Sequence, residues 1–198
     1  MVYFSACSSI DICFLIDPTF RIMRDWHGPR GTKEFLLKLM RKFSSDKPNV
    51  RTCAQTLNEG SRTLWRLYET PDRYNMDLKI RSFIPYSTSS VRGYSQALSQ
   101  VMSQQFIQRY GDRPSSPNVL VVLASDYVQS DPTYAVTREA MSLKLREIKS
   151  YVISWGRPNR LLLSELAGGD SNRMFINDVD SSPFDEVEMI YNDICNML

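Results

Sequence analysis

Three short polar clusters hold the side chains with which this chain could do chemistry. Asp17-Pro18-Thr19-Phe20-Arg21 follows an apolar run, Ser125-Asp126-Tyr127 follows a second, and Ser87-Thr88-Ser89-Ser90-Val91-Arg92-Gly93 precedes a helical pattern. Asp17 and Asp126 would supply paired carboxylates for hydrolysis, but no general acid at suitable spacing accompanies them. His27 is the single histidine, so a Ser-His-Asp or Cys-His site would have to run through it. Its setting, Arg24-Asp25-Trp26-His27-Gly28-Pro29, reads as a loop without zinc-spaced partners. No Gly-x-Gly-x-x-Gly or Gly-Lys-Ser/Thr loop follows a strand pattern, which disfavours nucleotides, and no Gly-x-Ser-x-Gly elbow marks a hydrolase. Catalysis by these clusters is therefore not expected. Trp26 and Tyr127 lie in predicted loops beside the clusters and are candidate partner anchors, with simple packing onto the surface as the alternative.

The elements that must position these clusters follow from the apolar periodicity. Ile10 to Ile16 is a nearly continuous apolar stretch, the pattern of a strand buried on both faces. Phe35, Leu36, Leu39, Met40 and Phe43 recur at helical spacing; Val50 to Leu57 and Arg62 to Leu67 read as a hairpin whose second member is a polar edge strand. Leu78 to Phe83 is a weaker segment, helix end or strand. Tyr94, Ala97, Leu98, Val101, Met102, Gln105 and Phe106 hold one helical face, and Val119 to Ala124 is the strongest buried-strand pattern. Val136, Ala140, Leu143 and Ile148 predict a helix, Tyr151 to Trp155 a strand, Leu161 to Ala167 a short helix, Arg173 to Ile176 a strand, and Phe184, Val187, Ile190 and Ile194 a last helix. This order predicts a single α/β domain over residues 1–198: a doubly wound, mainly parallel central sheet with one antiparallel edge strand and helices on both faces. The strand from Ile12 to Ile16 is expected between those at Val50 to Leu57 and Val119 to Ala124. Trp65 and Trp155 are expected in the core, and Asp170 and Asp178 as turn-capping residues.

Composition narrows the partners. Twenty-four Lys+Arg against 22 Asp+Glu in 198 residues give a formal charge of +2, too small to imply nucleic acid without a clustered basic face. No apolar run is long enough for a membrane helix, and the opening Met1 to Cys7 lacks the regions of a signal peptide; either the protein is cytosolic or a signal has been removed. Cys7 precedes the first strand and Cys195 lies at the end of the last helix, so adjacent termini would join them in a terminal staple, the alternative being two unrelated thiols in a cytosolic protein. Cys13 and Cys53 fall within strands and are expected as reduced core residues, a second bridge being the alternative. The absence of an Asn-x-Ser/Thr sequon weighs mildly against an extracellular setting.

In their order along the chain, three of these segments resemble the von Willebrand factor type A family. Asp11-Ile-Cys-Phe-Leu-Ile-Asp17-Pro-Thr19-Phe-Arg21 is similar to the family's strand running into Asp-x-Ser-x-Ser, Gly93-Tyr-Ser-Gln-Ala97-Leu98 to its Thr-x-x-x-Ala-Leu helix start, and Val119 to Asp126 to the strand ending in Thr-Asp-Gly. The similarity extends loosely from Asp11 to Cys195. It implies an adhesion module in which a metal-ion-dependent site of hard oxygens holds Mg²⁺. Asp17, Thr19 and Asp126 keep that pattern. Arg21 stands at the second Ser, Arg92 in the region that should supply the Thr, unless Thr88, Ser89 or Ser90 reaches in, and Tyr127 replaces the Gly. A guanidinium repels a cation and accepts no lone pair, so the site is expected to be degenerate, with no required cofactor and at most weak Mg²⁺ binding. Paired cysteines outside the first strand and last helix also match the family and favour a secreted, extracellular module that binds collagen, a proteoglycan or a cell-surface protein. An intracellular scaffold within a multiprotein complex is the alternative.

Overall fold

A strand whose side chains alternate between two faces can be apolar throughout only if both faces are covered. β1 (Ile10–Ile16) meets that condition, with every residue buried. A computed structural model describes residues 9–17, 32–43, 49–57, 60–69, 72–82, 93–125, 131–155, 158–177 and 184–196. Its elements, in chain order, are β1, α1 (Thr32–Phe43), β2 (Val50–Thr56), β3 (Thr63–Trp65), α2 (Arg73–Ser82), α3 (Tyr94–Gln104), β4 (Asn118–Ser125), α4 (Thr133–Leu145), β5 (Lys149–Trp155), α5 (Arg160–Leu166), β6 (Met174–Asn177) and α6 (Phe184–Cys195), with short 3₁₀ turns at Leu67–Glu69, Gln108–Tyr110 and Ser171–Arg173.

The described strands form one six-stranded sheet in the order β3-β2-β1-β4-β5-β6. Only β3 runs antiparallel to its neighbour. The expected doubly wound sheet, its antiparallel edge and the place of β1 between β2 and β4 are all present. On one face Ile12, Phe14 and Ile16 pack with Phe35, Leu39 and Phe43 of α1 and with Val187, Ile190 and Ile194 of α6. The other face packs Leu15, Leu120 and Val122 against Ala97, Leu98 and Val101 of α3, Val136 and Leu143 of α4, and Leu162, Leu163 and Leu166 of α5. Trp65 and Trp155 are buried as expected, Trp155 meeting Phe35 edge-to-face at 6.2 Å.

Several boundaries differ from expectation for local reasons. Leu78 belongs to helix α2, which buries Met76 and Ile80 and leaves Tyr74 and Leu78 in solvent; its apolar pattern is therefore weak. Ile148 is not helical. α4 ends at Leu145, and Ile148 folds back to donate its N–H to the Leu143 carbonyl at 3.0 Å. The polar edge strand is shorter than Arg62 to Leu67, with Leu67 already in a 3₁₀ turn. Arg173 precedes β6 instead of opening it, and Asp170 caps the turn before that strand, accepting from Asn172 N–H and pairing with Arg173 at 2.8 Å. Asp178 lies outside the described residues.

The expectation of reduced core thiols at Cys13 and Cys53 is corrected. The two residues are register partners on β1 and β2 and form a disulfide, with Cα atoms 4.5 Å apart. That separation lies inside the range a bridge requires. Cys195 is also disulfide-bonded; Cys7, its expected partner, lies outside the described residues.

At the amino-terminal end of β1 a charge is buried. Asp11 is fully buried and accepts from Arg113 through the backbone N–H (2.7 Å), Nε (2.8 Å) and Nη2 (2.6 Å). Arg113 Nη2 also reaches the carbonyls of Ile10 (2.7 Å) and Asn49 (2.9 Å), so one guanidinium ties the loop before β4 to β1 and to the start of β2. Burial pushes the Asp11 carboxyl above its ordinary range, with the Arg113 hydrogen bonds and charge pulling the other way.

Two outcomes follow. Replacing both bridged cysteines, Cys13→Ala with Cys53→Ala, releases a loop with a sequence separation of 40; urea denaturation should show a loss of up to about 4 kcal/mol in the chain-entropy model. Arg113→Met strands the Asp11 carboxylate and should cost about 3–5 kcal/mol near neutrality. Because the folded-state pKa of Asp11 is raised, its contribution is intact below the ordinary Asp value and is lost as pH rises through the raised one. The penalty measured by denaturation should therefore be smaller at pH 4 than at pH 7, and Asp11→Asn in the same chain should recover part of it.

Candidate functional site

In an open parallel sheet the crevice lies beyond the carboxyl ends of the strands, where the strand order reverses. Here the chain leaves β1 toward β2 on one side and later returns to β4 on the other, so the switch point falls between β1 and β4. Asp17 is the first residue past β1. Its backbone N–H donates to the Leu123 carbonyl of β4 at 2.9 Å, and Leu57 N–H from the end of β2 donates to the Ile16 carbonyl at 2.7 Å. Both neighbouring strands thus fix the peptide that carries Asp17, whose side chain is fully buried.

Alternation along β1 places Asp17 on the same face as Cys13 and Leu15, the one covered by α3, α4 and α5. The amino terminus of α3 is held by Asp131, whose Oδ2 accepts from the Ser95 N–H at 2.7 Å. Asp131 precedes α4, so one carboxylate joins the starts of two helices. It satisfies a donor that the helix cannot pair internally and sets negative charge against the positive end of α3. Along its length α3 is tied to the β2–β3 hairpin: Gln55 Nε2 donates to the Ala97 carbonyl (3.4 Å) and to Gln100 Oε1 (3.3 Å), and Gln105 Nε2 to Thr63 Oγ1 (3.0 Å). The Gly60 N–H reaches Gln96 Oε1 at 3.5 Å. The ends of β1 and β4, the β2–β3 turn and the start of α3 are therefore brought to one end of the sheet.

Of the residues expected at the site, the structure places Asp17. Thr19, Arg21, Trp26, His27, Thr88, Ser89, Ser90, Arg92, Asp126 and Tyr127 lie outside the described residues. β4 ends at Ser125, immediately before Asp126. Among the described residues no group of three His, Cys, Asp or Glu side chains is gathered to hold a metal. The sequence reading missed Asp131 and Gln55. An Asp-Pro-Thr run before an apolar helix suggests a cap for that helix, and nothing local says that the carboxylate reaches the start of α3.

Residues 11–189 match the model of the von Willebrand factor type A domain. No curated protein sequence matches the chain. Among solved structures it is similar to proximal thread matrix protein 1 from the mussel byssus, with a TM-score of 0.75 and 15% identity over 96% of this chain and 47% of that one. The form of that mussel protein with a zinc-occupied MIDAS motif gives a TM-score of 0.73 at 14% identity, over 96% of this chain and 48% of that one. The manganese-loaded TRAP protein of Plasmodium vivax gives 0.75 at 19% identity, over 96% and 75%. The chain spans about half the length of the mussel chain.

The clamp on α3 is open to test. Asp131→Ala should cost about 0.5–2 kcal/mol, the usual range for a lost helix cap, in thermal or urea unfolding. Hydrogen exchange should accelerate at Ser95 while Val121 and Val122, paired within the central strands, stay protected. Unchanged exchange at Ser95 would remove the clamp from the account.

Proposed function

The chain belongs to the von Willebrand factor type A domain family, and on that premise we propose that it is a non-enzymatic, extracellular adhesion or matrix-binding module that grips a macromolecular partner without a divalent metal. The observation that carries this reading is Asp17, a buried carboxylate at the switch point between β1 and β4, followed in sequence by Pro18, Thr19, Phe20 and Arg21. The place is that of a family adhesion site; the donor set does not fit a cation. Asp17, Thr19 and Asp126 offer oxygens, but Arg21 brings a fixed positive charge and five N–H donors with no lone pair. Two carboxylates at neighbouring strand ends repel unless something positive lies between them. In this reading Arg21, with Arg92 assisting from the segment before α3, fills that role by charge-assisted hydrogen bonds.

An extracellular setting is supported by the Cys13–Cys53 bridge and by the bonded state of Cys195, since structural disulfides persist in oxidising compartments. The terminal staple from Cys7 to Cys195 is part of the same proposal. A matrix partner is supported by the likeness to a byssal matrix protein. Among the described residues no helix is long and apolar enough to cross a membrane. Trp26 and Tyr127, which flank the proposed contact in sequence, are assigned as aromatic anchors.

A screen against collagens, proteoglycans and cell-surface ectodomains, run with and without chelator, tests the function directly. The expected result is binding that chelator leaves unchanged, with no saturable heat in calorimetric titration of the parent with Mg²⁺ or Mn²⁺. Arg21→Ser should create metal affinity that the parent lacks. Millimolar or tighter metal binding by the parent, or loss of the partner in chelator, would overturn the metal-free reading.

A further inference from the structure

Helix α4 is apolar on both of its sides. Val136 and Leu143 face the core, and on the opposite side Tyr134, Met141 and Leu145 stand 75%, 62% and 85% exposed. The helical repeat sets Tyr134, Arg138, Met141 and Leu145 in one narrow ridge, spaced four, three and four residues apart. A helix that is apolar all round is ordinarily covered all round, and a single chain leaves this ridge in solvent.

The ground around the ridge is poor in charge. α4 packs against α3 and α5, and α3 carries no charged residue, its solvent side being Gln96, Ser99, Ser103 and Gln104. On the other face of the sheet, α1 carries five charged residues and α6 four. Depletion of charge around exposed apolar side chains is the compositional mark of a protein–protein contact. Within the ridge, Arg138 already donates from Nε (3.0 Å) and Nη2 (2.8 Å) to Glu139 Oε1. Its aliphatic stem can therefore be covered without burying a bare charge.

We propose that the ridge is a contact between two copies of this chain, paired antiparallel through α4. The spacing four, three, four reads the same from either end. A two-fold axis at the helix surface between Glu139 and Ala140 therefore sets Tyr134 against Leu145 of the second copy, and Arg138 against its Met141. Alternating steps of three and four are the seam of paired helices, and a two-fold contact uses one patch twice. Beside the seam, Thr137 comes next to Lys144 of the second copy and Ala135 next to its Ser142, so no like charges are opposed. At roughly 200 Å² for a large side chain, the three apolar residues expose on the order of 400 Å² per copy. With the Arg138 stem and the flanking groups, the pair buries about 1,000 Å², the lower bound for a specific interface. Because α4 begins at the Asp17 end of the sheet, this pairing turns the two Asp17 ends in opposite directions.

Sedimentation equilibrium of the chain, from about 5 to 500 μM, tests the contact; a reversible monomer–dimer equilibrium with its midpoint in that range is expected. Leu145→Glu, at an exposed position, should leave thermal unfolding of the dilute chain unchanged and raise the dissociation constant about tenfold or more, since the two-fold brings the new charge in twice. Register is read by cross-linking, because among the described residues no cysteine is free. Under mild oxidation a mixture of Tyr134→Cys and Leu145→Cys chains should give a covalent dimer. Tyr134→Cys chains alone should not, since the two copies of that position lie about 16 Å apart along the seam, beyond the reach of a bridge. A monomer at every concentration, a dimer that Leu145→Glu leaves intact, a mixture that stays uncross-linked, or cross-linking of Tyr134→Cys chains by themselves would each overturn the proposal.

Discussion

The rest of the molecule depends on burying β1 on both faces. A strand with no solvent side must have its backbone paired on both edges, because an unpaired amide in that setting costs free energy comparable to a lost hydrogen bond. β2 and β4 supply those edges, in parallel. Parallel neighbours need crossovers, and the crossovers are the helices that cover the two faces. The same requirement fixes the switch point beside β1, and with it the place of Asp17. Burial of the first strand and position of the candidate site are thus one constraint.

Several polar groups of this interior are paired across the fold, and each such pair fastens a segment. Asp11 with Arg113 fastens the amino-terminal end of the sheet, where the loop before β4 would otherwise lie loose on the surface. Gln55 and Gln105, both buried, fasten α3 to the edge hairpin. Asp131 fastens α3 to α4. Breaking one partner of such a set leaves the other buried and unsatisfied, which is why these contacts matter more for defining one arrangement than for net stability. Among the described residues Gln105 Oε1, Asn118 Oδ1, Ser154 Oγ and Trp155 Nε1 are buried without a hydrogen-bond partner.

The two ends of the sheet consequently differ in kind. At the carboxyl end, strand termini, a hairpin turn and the amino ends of α3 and α4 meet around a buried carboxylate, which suits recognition built from several loops. At the amino end the carboxyl terminus of α4 and the starts of β4 and β5 border a cleft lined in part by Leu143, Lys144 and Ile148.

The sequence by itself determined the elements that repeat a local pattern. The seven buried residues of β1, the apolar run of β4, and the helical spacing of α1, α3 and α6 record which side chains face the core, and this placed β1 between β2 and β4. Asp17 was legible for the same reason, being the first polar residue after a strand that cannot face water. What only the tertiary structure decided are contacts set by register and by distance across the fold. Cys13 and Cys53 look alike as thiols or as a bridge until parallel pairing aligns them; Asp131 looks like a cap for its own helix until α3 is beside it; Arg113 and Asp11 are separated by 102 positions and meet only when β4 joins β1. Periodicity reports burial, a property each residue has along its own segment, whereas a bond between two segments depends on where the whole chain has placed both.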